Sequence, residues 1–233
     1  FLSAGFCKLT HGHFGQLIGP PWLEERLAQY GLALFAQVVA YFQIICGALL
    51  LSQRFSTLGA VMLIPMNISM LAVTISQQWQ GTPYINGAFL VLNLLLLFYE
   101  MPKFRFLFST KSYTLVPNPL DSLRNNYFNL VAMALLLPAI AFSTSEFTIV
   151  ALLVAASLIL FGIPLLTAQT FSLLEKIILA QSIGNMLLVT LAFKSTLAPV
   201  ALGVNTVILG LILIGLFIFK AKKEPPSSSF IEE

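Results

Sequence analysis

Few side chains in this chain could do chemistry, and most of those are neutral amides. The two histidines, His11 and His13, stand two apart in a polar stretch with Cys7 just before them. A His-x-His pair in an extended loop can hold a metal, but protein metal centres need three or four ligands. Two loop histidines without a third ligand read as solvated, and no metal is assigned. Cys7 falls near a helix end and Cys46 in the middle of a long apolar run, so their depths do not suit a disulfide, and no Cys-x-x-Cys pair carries thiol exchange. No Gly-rich phosphate loop, Gly-x-Ser-x-Gly turn or His-Glu-x-x-His appears. No catalytic residue is assigned, and the reading leans away from an enzyme.

The amides are more informative. Asn86, Asn93 and Glu100 follow one another at intervals of seven, so at 100° per residue they lie on nearly one helical face. Gln37 and Tyr41 are four apart, with Ala40, Gln43 and Gly47 forming a small and polar strip beside them; Asn67 follows Pro65, and Gln181 and Asn185 share a face. One reading is that such amides tie helices together, each hydrogen bond contributing about 0.6 to 2 kcal/mol. The other is that some line a cavity for a quinone, a lipid or a small polar solute, and Gln37, Tyr41, Gln43, Asn67 and Asn93 are the candidates. An amide facing hydrocarbon would leave its polar atoms unpaired. Gln43, Asn86 and Asn93 should therefore pack inside a bundle, and Leu at Asn93 should weaken it.

The elements that position these groups follow from composition. Of 233 residues, 58% are hydrophobic and 9% charged, against about 25% charged in a soluble domain. Several windows of about 17 to 25 residues carry no charge, enough to cross a hydrocarbon core of about 30 Å. The runs are continuous rather than alternating, which excludes a β-barrel. The expected fold is all-α, a polytopic membrane bundle of about eight transmembrane helices in two four-helix halves. The first half covers residues 1–100. It opens with FLSAGFCKL, read as the outer end of a helix whose first turns lie upstream, and continues with spans at 32–51, 57–76 and 85–99. The second half covers 127–220, with spans at 127–142, 147–167, 171–193 and 197–219. A connection at 101–126 joins the halves, and a polar tail at 221–233 lacks the apolarity to pack.

Charge sets the orientation. The connection holds Lys103, Arg105, Lys111 and Arg124 against the single acid Asp121, and Lys and Arg in short loops mark the cytoplasmic side. Of the 12 Lys and Arg, only Lys8, Arg26 and Lys194 fall in outer segments, so the connection and both termini are expected inside the cell. The outer stretch 10–31 includes the amphipathic WLEERLAQY, and Trp22, Tyr30, Trp79 and Tyr84 suit the headgroup level. Phe104, Phe106 and Phe108, alternating with basic residues, suit a segment lying on anionic headgroups. The net charge of +3 sits in loops and reads as orientation information, not as a patch for nucleic acid or an anionic ligand. The second to sixth and the eighth spans have no ionisable group between their ends, while Glu175 and Lys176 open the seventh, which argues against a proton or ion pump.

Residues 1–100 resemble the DoxX-like family of small four-helix membrane proteins. That family reads G-x-x-KL at a helix end, then a helix with an acidic residue shortly before a Gly, a basic turn and a helix opening with small residues. The matching positions are Gly5, Lys8 and Leu9, then Gly47, Arg54, Gly59 and Ala60. Where the family often has Glu, this chain has Gln43, which cannot act as an intramembrane acid or base. The resemblance implies a multi-pass protein of the bacterial inner membrane, in redox or envelope physiology, with another membrane protein as partner.

Three functions remain in view. The first is a non-catalytic membrane subunit or interaction protein of an envelope or redox-associated complex, with the bilayer and a membrane protein as partners. The second, implied by the resemblance, is a quinone-linked oxidoreductase subunit. The third is a transporter of a neutral small solute.

Overall fold

The computed structural model describes residues 1–14, 23–101, 123, 126–191 and 198–223. Regular structure among them is helical: α1 (Leu2–Leu9), α2 (Leu23–Ala28), α3 (Ala33–Leu51), α4 (Ser56–Ser76), α5 (Thr82–Tyr99), α6 (Tyr127–Ala141), α7 (Phe147–Thr167), α8 (Leu173–Leu191) and α9 (Ala198–Lys223). The spans expected from the apolar runs fall on α3 to α9, with ends that differ by a few residues.

Local chemistry sets the helix ends. Asn126 caps α6, its Oδ1 accepting from the Phe128 amide at 3.0 Å. Ser172 and Glu175 form the box that opens α8: the Glu175 carboxylate accepts from the Ser172 amide at 2.8 Å and from its hydroxyl at 2.9 Å. Gly81, at φ 80°, supplies the left-handed turn before α5, and Pro83 sits in that helix's first turn, where its missing N–H has no intrahelical partner to lose. Within α4, the carbonyl of Pro65 accepts from Ser69 Oγ at 2.7 Å.

Five of these helices, α3, α4, α5, α7 and α8, are long and apolar enough to cross a membrane; α6 and the stretch Val200–Gly215 of α9 are shorter apolar helices. Large apolar side chains such as Leu34, Leu92, Leu137, Leu173 and Val207 stand exposed on their outer faces. A surface of this kind suits lipid, where it needs no burial.

Neighbours in sequence pack as neighbours in space, α1 on α3, α3 on α4 and α4 on α5, then α6 on α7, α7 on α8 and α8 on α9, with α1 also meeting α8. Phe1 and Phe89, ring centroids 5.5 Å apart, link α1 to α5. The main core joins both groups of helices, with Leu2, Phe6, Ala40 and Ile44 on one side and Leu136, Val150, Val154, Leu158 and Phe161 on the other. The approach of α1 to α3 depends on glycine. A Cβ on Gly5 would lie 2.6 Å from the Ala40 carbonyl oxygen, and one on Gly47 would lie 2.8 Å from the Leu2 amide nitrogen.

The turn between α3 and α4 ties the groups together. Gln53 donates from Nε2 to the Phe161 carbonyl at 2.9 Å and accepts at Oε1 from Asn129 Nδ2 at 3.3 Å. Nearby, Thr57 Oγ1 donates to the Glu100 carboxylate at 3.2 Å, joining the start of α4 to the end of α5. Most of the connection at 101–126, with its basic and Phe-rich motif, lies outside the described residues, as do Trp22, Lys194 and the tail from Glu224.

Candidate functional site

Between the two groups of helices lies a cavity of about 520 Å³. Its walls are mostly apolar, with Leu2, Val39, Leu50 and Phe89 facing Val154, Leu158, Met186 and Leu209. Trp79, Leu27, Phe35 and Val73 also line it, and they pack as one cluster with Ala36 beside α2. Trp79 is thus half-buried against this cluster, where the sequence placed it among the headgroups.

Polar groups enter the cavity from two directions. Lys8, Gln43, Thr74 and Asn86 come from α1, α3, α4 and α5, and Ser182, Asn185, Thr190 and Thr206 come from α8 and α9. The Lys8 ammonium donates to Gln43 Oε1 at 2.9 Å and to the Ala4 carbonyl at 3.2 Å. The other end of the Gln43 amide donates to Met70 Sδ at 3.4 Å. Asn86 Nδ2 reaches Thr74 Oγ1 at 3.5 Å. Across the cavity, Asn205 donates from Nδ2 to Asn185 Oδ1 at 2.7 Å and accepts from Gln181 Nε2 at its own Oδ1 and carbonyl, both at 3.1 Å.

Lys8 corrects the charge reading. The sequence places it among the outer cations; in the structure Lys8 is 5% exposed and meets Gln43 near the middle of α3. The reason is directional. Side chains on a helix tilt toward its N-terminus, and from the C-terminal end of α1 that direction leads into the bundle. Lys8 accordingly reaches back one turn to Ala4 instead of outward to water.

The five candidate binding residues are not brought together. Gln43, 2% exposed, lines the cavity. Gln37 turns outward at the start of α3 and donates to Glu24 of α2 at 2.6 Å, and Tyr41, 43% exposed, lies on the same outer face. Asn67 and Asn93 are buried on α4 and α5, which pack against each other, but they lie away from the cavity lining. Among the described residues, both Asn93 amide atoms and Asn67 Nδ2 lack hydrogen-bond partners. The Asn86, Asn93 and Glu100 face is turned inward, as the interval of seven required. Asn205 escaped the sequence reading because no polar residue marks its face of α9 at helical spacing; its partners are on α8.

His13 stacks on Phe147 with ring centroids 4.4 Å apart, and His11 occupies a tight turn at φ 50°. Among the described residues no three His, Cys, Asp or Glu side chains converge as a metal site would require. Cys7 and Cys46 are buried and free. No family model, curated protein or solved structure matches the chain.

Proposed function

We propose that this chain is a non-catalytic subunit of a bacterial inner-membrane complex, and that the cavity between its helix groups holds a small, mostly apolar molecule for a partner protein. Eight spans, cytoplasmic termini and kinship of the first half to DoxX-like proteins belong to the same proposal. They rest on the positive-inside distribution and on Gly5, Lys8, Gly47, Arg54 and Gly59. The observation that carries the reading is the cavity itself: its 520 Å³ lie within the roughly 300 to 1,000 Å³ of ligand sites, which pair apolar walls with a few orienting polar groups. The polar side chains that line it among the described residues are amides, hydroxyls and the Lys8 ammonium, suited to orienting a ligand. A quinone carried for a redox partner is the second reading, since the Gln43 and Asn86 amides could orient its carbonyl oxygens.

Native mass spectrometry of the chain extracted with its own membranes tests this. A small apolar molecule should copurify with the protein and be lost on Ser182→Phe, which fills the cavity from α8. Crosslinking in native membranes should capture a second membrane protein. Absence of any bound molecule, with a melting temperature unchanged by Ser182→Phe, would remove the cavity from the function. Turnover of a thiol, sulfur or quinone substrate by the purified chain alone would show an enzyme.

A further inference from the structure

We propose that the molecule held in this cavity is an anionic single-chain amphiphile, a long-chain carboxylate, whose head pairs with the Lys8 ammonium while its chain lies along the apolar walls. This rests on the cavity being a ligand site and adds the chemical class of the ligand. The Lys8 ammonium has three donors. Two are taken by neutral acceptors, the Gln43 side-chain oxygen and the Ala4 carbonyl, and among the described residues no carboxylate pairs with it. Lys8 is nevertheless 95% buried and belongs to the cavity wall.

A buried cation that is solvated but not neutralised carries a large desolvation cost, and an opposite charge brought to it recovers much of that. A neutral carbonyl, such as a quinone presents, would exchange one neutral acceptor for another and leave the charge uncompensated. A carboxylate removes the imbalance and can accept from the third donor. The remaining lining also suits one acidic head on a hydrocarbon chain. Among the described residues it contains no acidic side chain to repel an anion, and its apolar residues extend from Leu2 and Val39 to Val154, Leu158 and Leu209. Ser182 and Asn185 lie on the far wall and do not offer a second charge.

Trp79 lines the cavity and is one of two tryptophans, so Trp22→Phe leaves it as the sole reporter. The full chain carrying that change, in lipid nanodiscs, is titrated with dibrominated stearate and separately with its methyl ester, each quenching a tryptophan that it approaches. The acid should quench saturably, be displaced by unbrominated stearate, and half-saturate at a concentration about tenfold below the ester. Lys8→Met should abolish the acid's advantage, and Lys8→Arg should keep it. Equal half-saturation by acid and ester in the protein that retains Lys8 would overturn the carboxylate assignment while leaving the cavity as a ligand site. Quenching that never saturates with either probe would overturn the ligand site itself. The acid and ester comparison needs no change at Lys8, so it decides the matter even if Lys8→Met does not fold.

Discussion

Replacing Gln53 should loosen the two groups of helices from each other. Its side chain bridges from the α3–α4 turn to both α6 and α7, and its backbone sits at φ 54°. Gln53→Ala removes the bond to the Phe161 carbonyl, at about 0.5 to 1.5 kcal/mol net. It also strips Asn129 of its Nδ2 partner, and Asn129 is 1% exposed with its Oδ1 already unpartnered; an orphaned buried donor costs about 1 to 3 kcal/mol. The expected loss is therefore about 1.5 to 4.5 kcal/mol. Gln53→Gly loses the same bonds but relieves a left-handed conformation that costs a residue with a Cβ about 1 to 2 kcal/mol. It should thus be more stable than Gln53→Ala, less the flexibility that Gly adds to the unfolded chain.

Unfolding by SDS in mixed micelles, followed by tryptophan fluorescence, measures each variant. A double-mutant cycle of Gln53→Ala with Asn129→Ala should return a coupling of about 0.6 kcal/mol or more, the typical value for an interhelical hydrogen bond in a membrane. A loss under about 0.5 kcal/mol for Gln53→Ala, or a cycle without coupling, would refute the idea that this side chain clamps the groups together.

Glycine packing is tested by Gly5→Ala, which should cost about 1 to 3 kcal/mol through overpacking against Ala40 and Ile44, while Gly87→Ala, with open space around it, should be neutral or slightly stabilising; melting in detergent separates them. Asn93→Leu should change stability by less than about 1 kcal/mol, because the amide it removes has no partner and its loss relieves a desolvation cost. This reverses the weakening expected from sequence, and a loss of several kcal/mol would show that Asn93 is hydrogen-bonded. Asn205→Leu, by contrast, strands Asn185 Oδ1 and leaves Gln181 only the backbone carbonyl of residue 205, and should cost about 1 to 3 kcal/mol in the same measurement. For topology, a Cys placed at Ser112 should react with an impermeant reagent only after the membrane is opened, against a quiet background because Cys7 and Cys46 are buried; labelling in intact cells would invert the orientation.

What could be read from the sequence depended on whether a residue's partner lies on its own helix or on another. The apolar runs located α3 to α9 because length and the absence of charge are properties of a single segment. The inward turn of Asn86, Asn93 and Glu100 was legible for the same reason, since the interval of seven is internal to α5. Gln53 stands in the turn after α3, and only the tertiary structure puts Phe161 and Asn129 within its reach. Asn205 lacked a companion on α9 and acquires its meaning from Gln181 and Asn185 on α8. Gln37 and Tyr41 were correctly placed on one face of α3, but the rotation of α3 about its own axis decides whether that face meets the cavity. That rotation follows from Gly5 and Gly47, which let α1 settle against Ala40, Ile44 and Gly47, between the face of Gln37 and Tyr41 and the one that carries Gln43. The same contact carries Lys8 down onto Gln43, so the glycines that close the α1–α3 interface also choose which polar face of α3 lines the cavity and which faces outward.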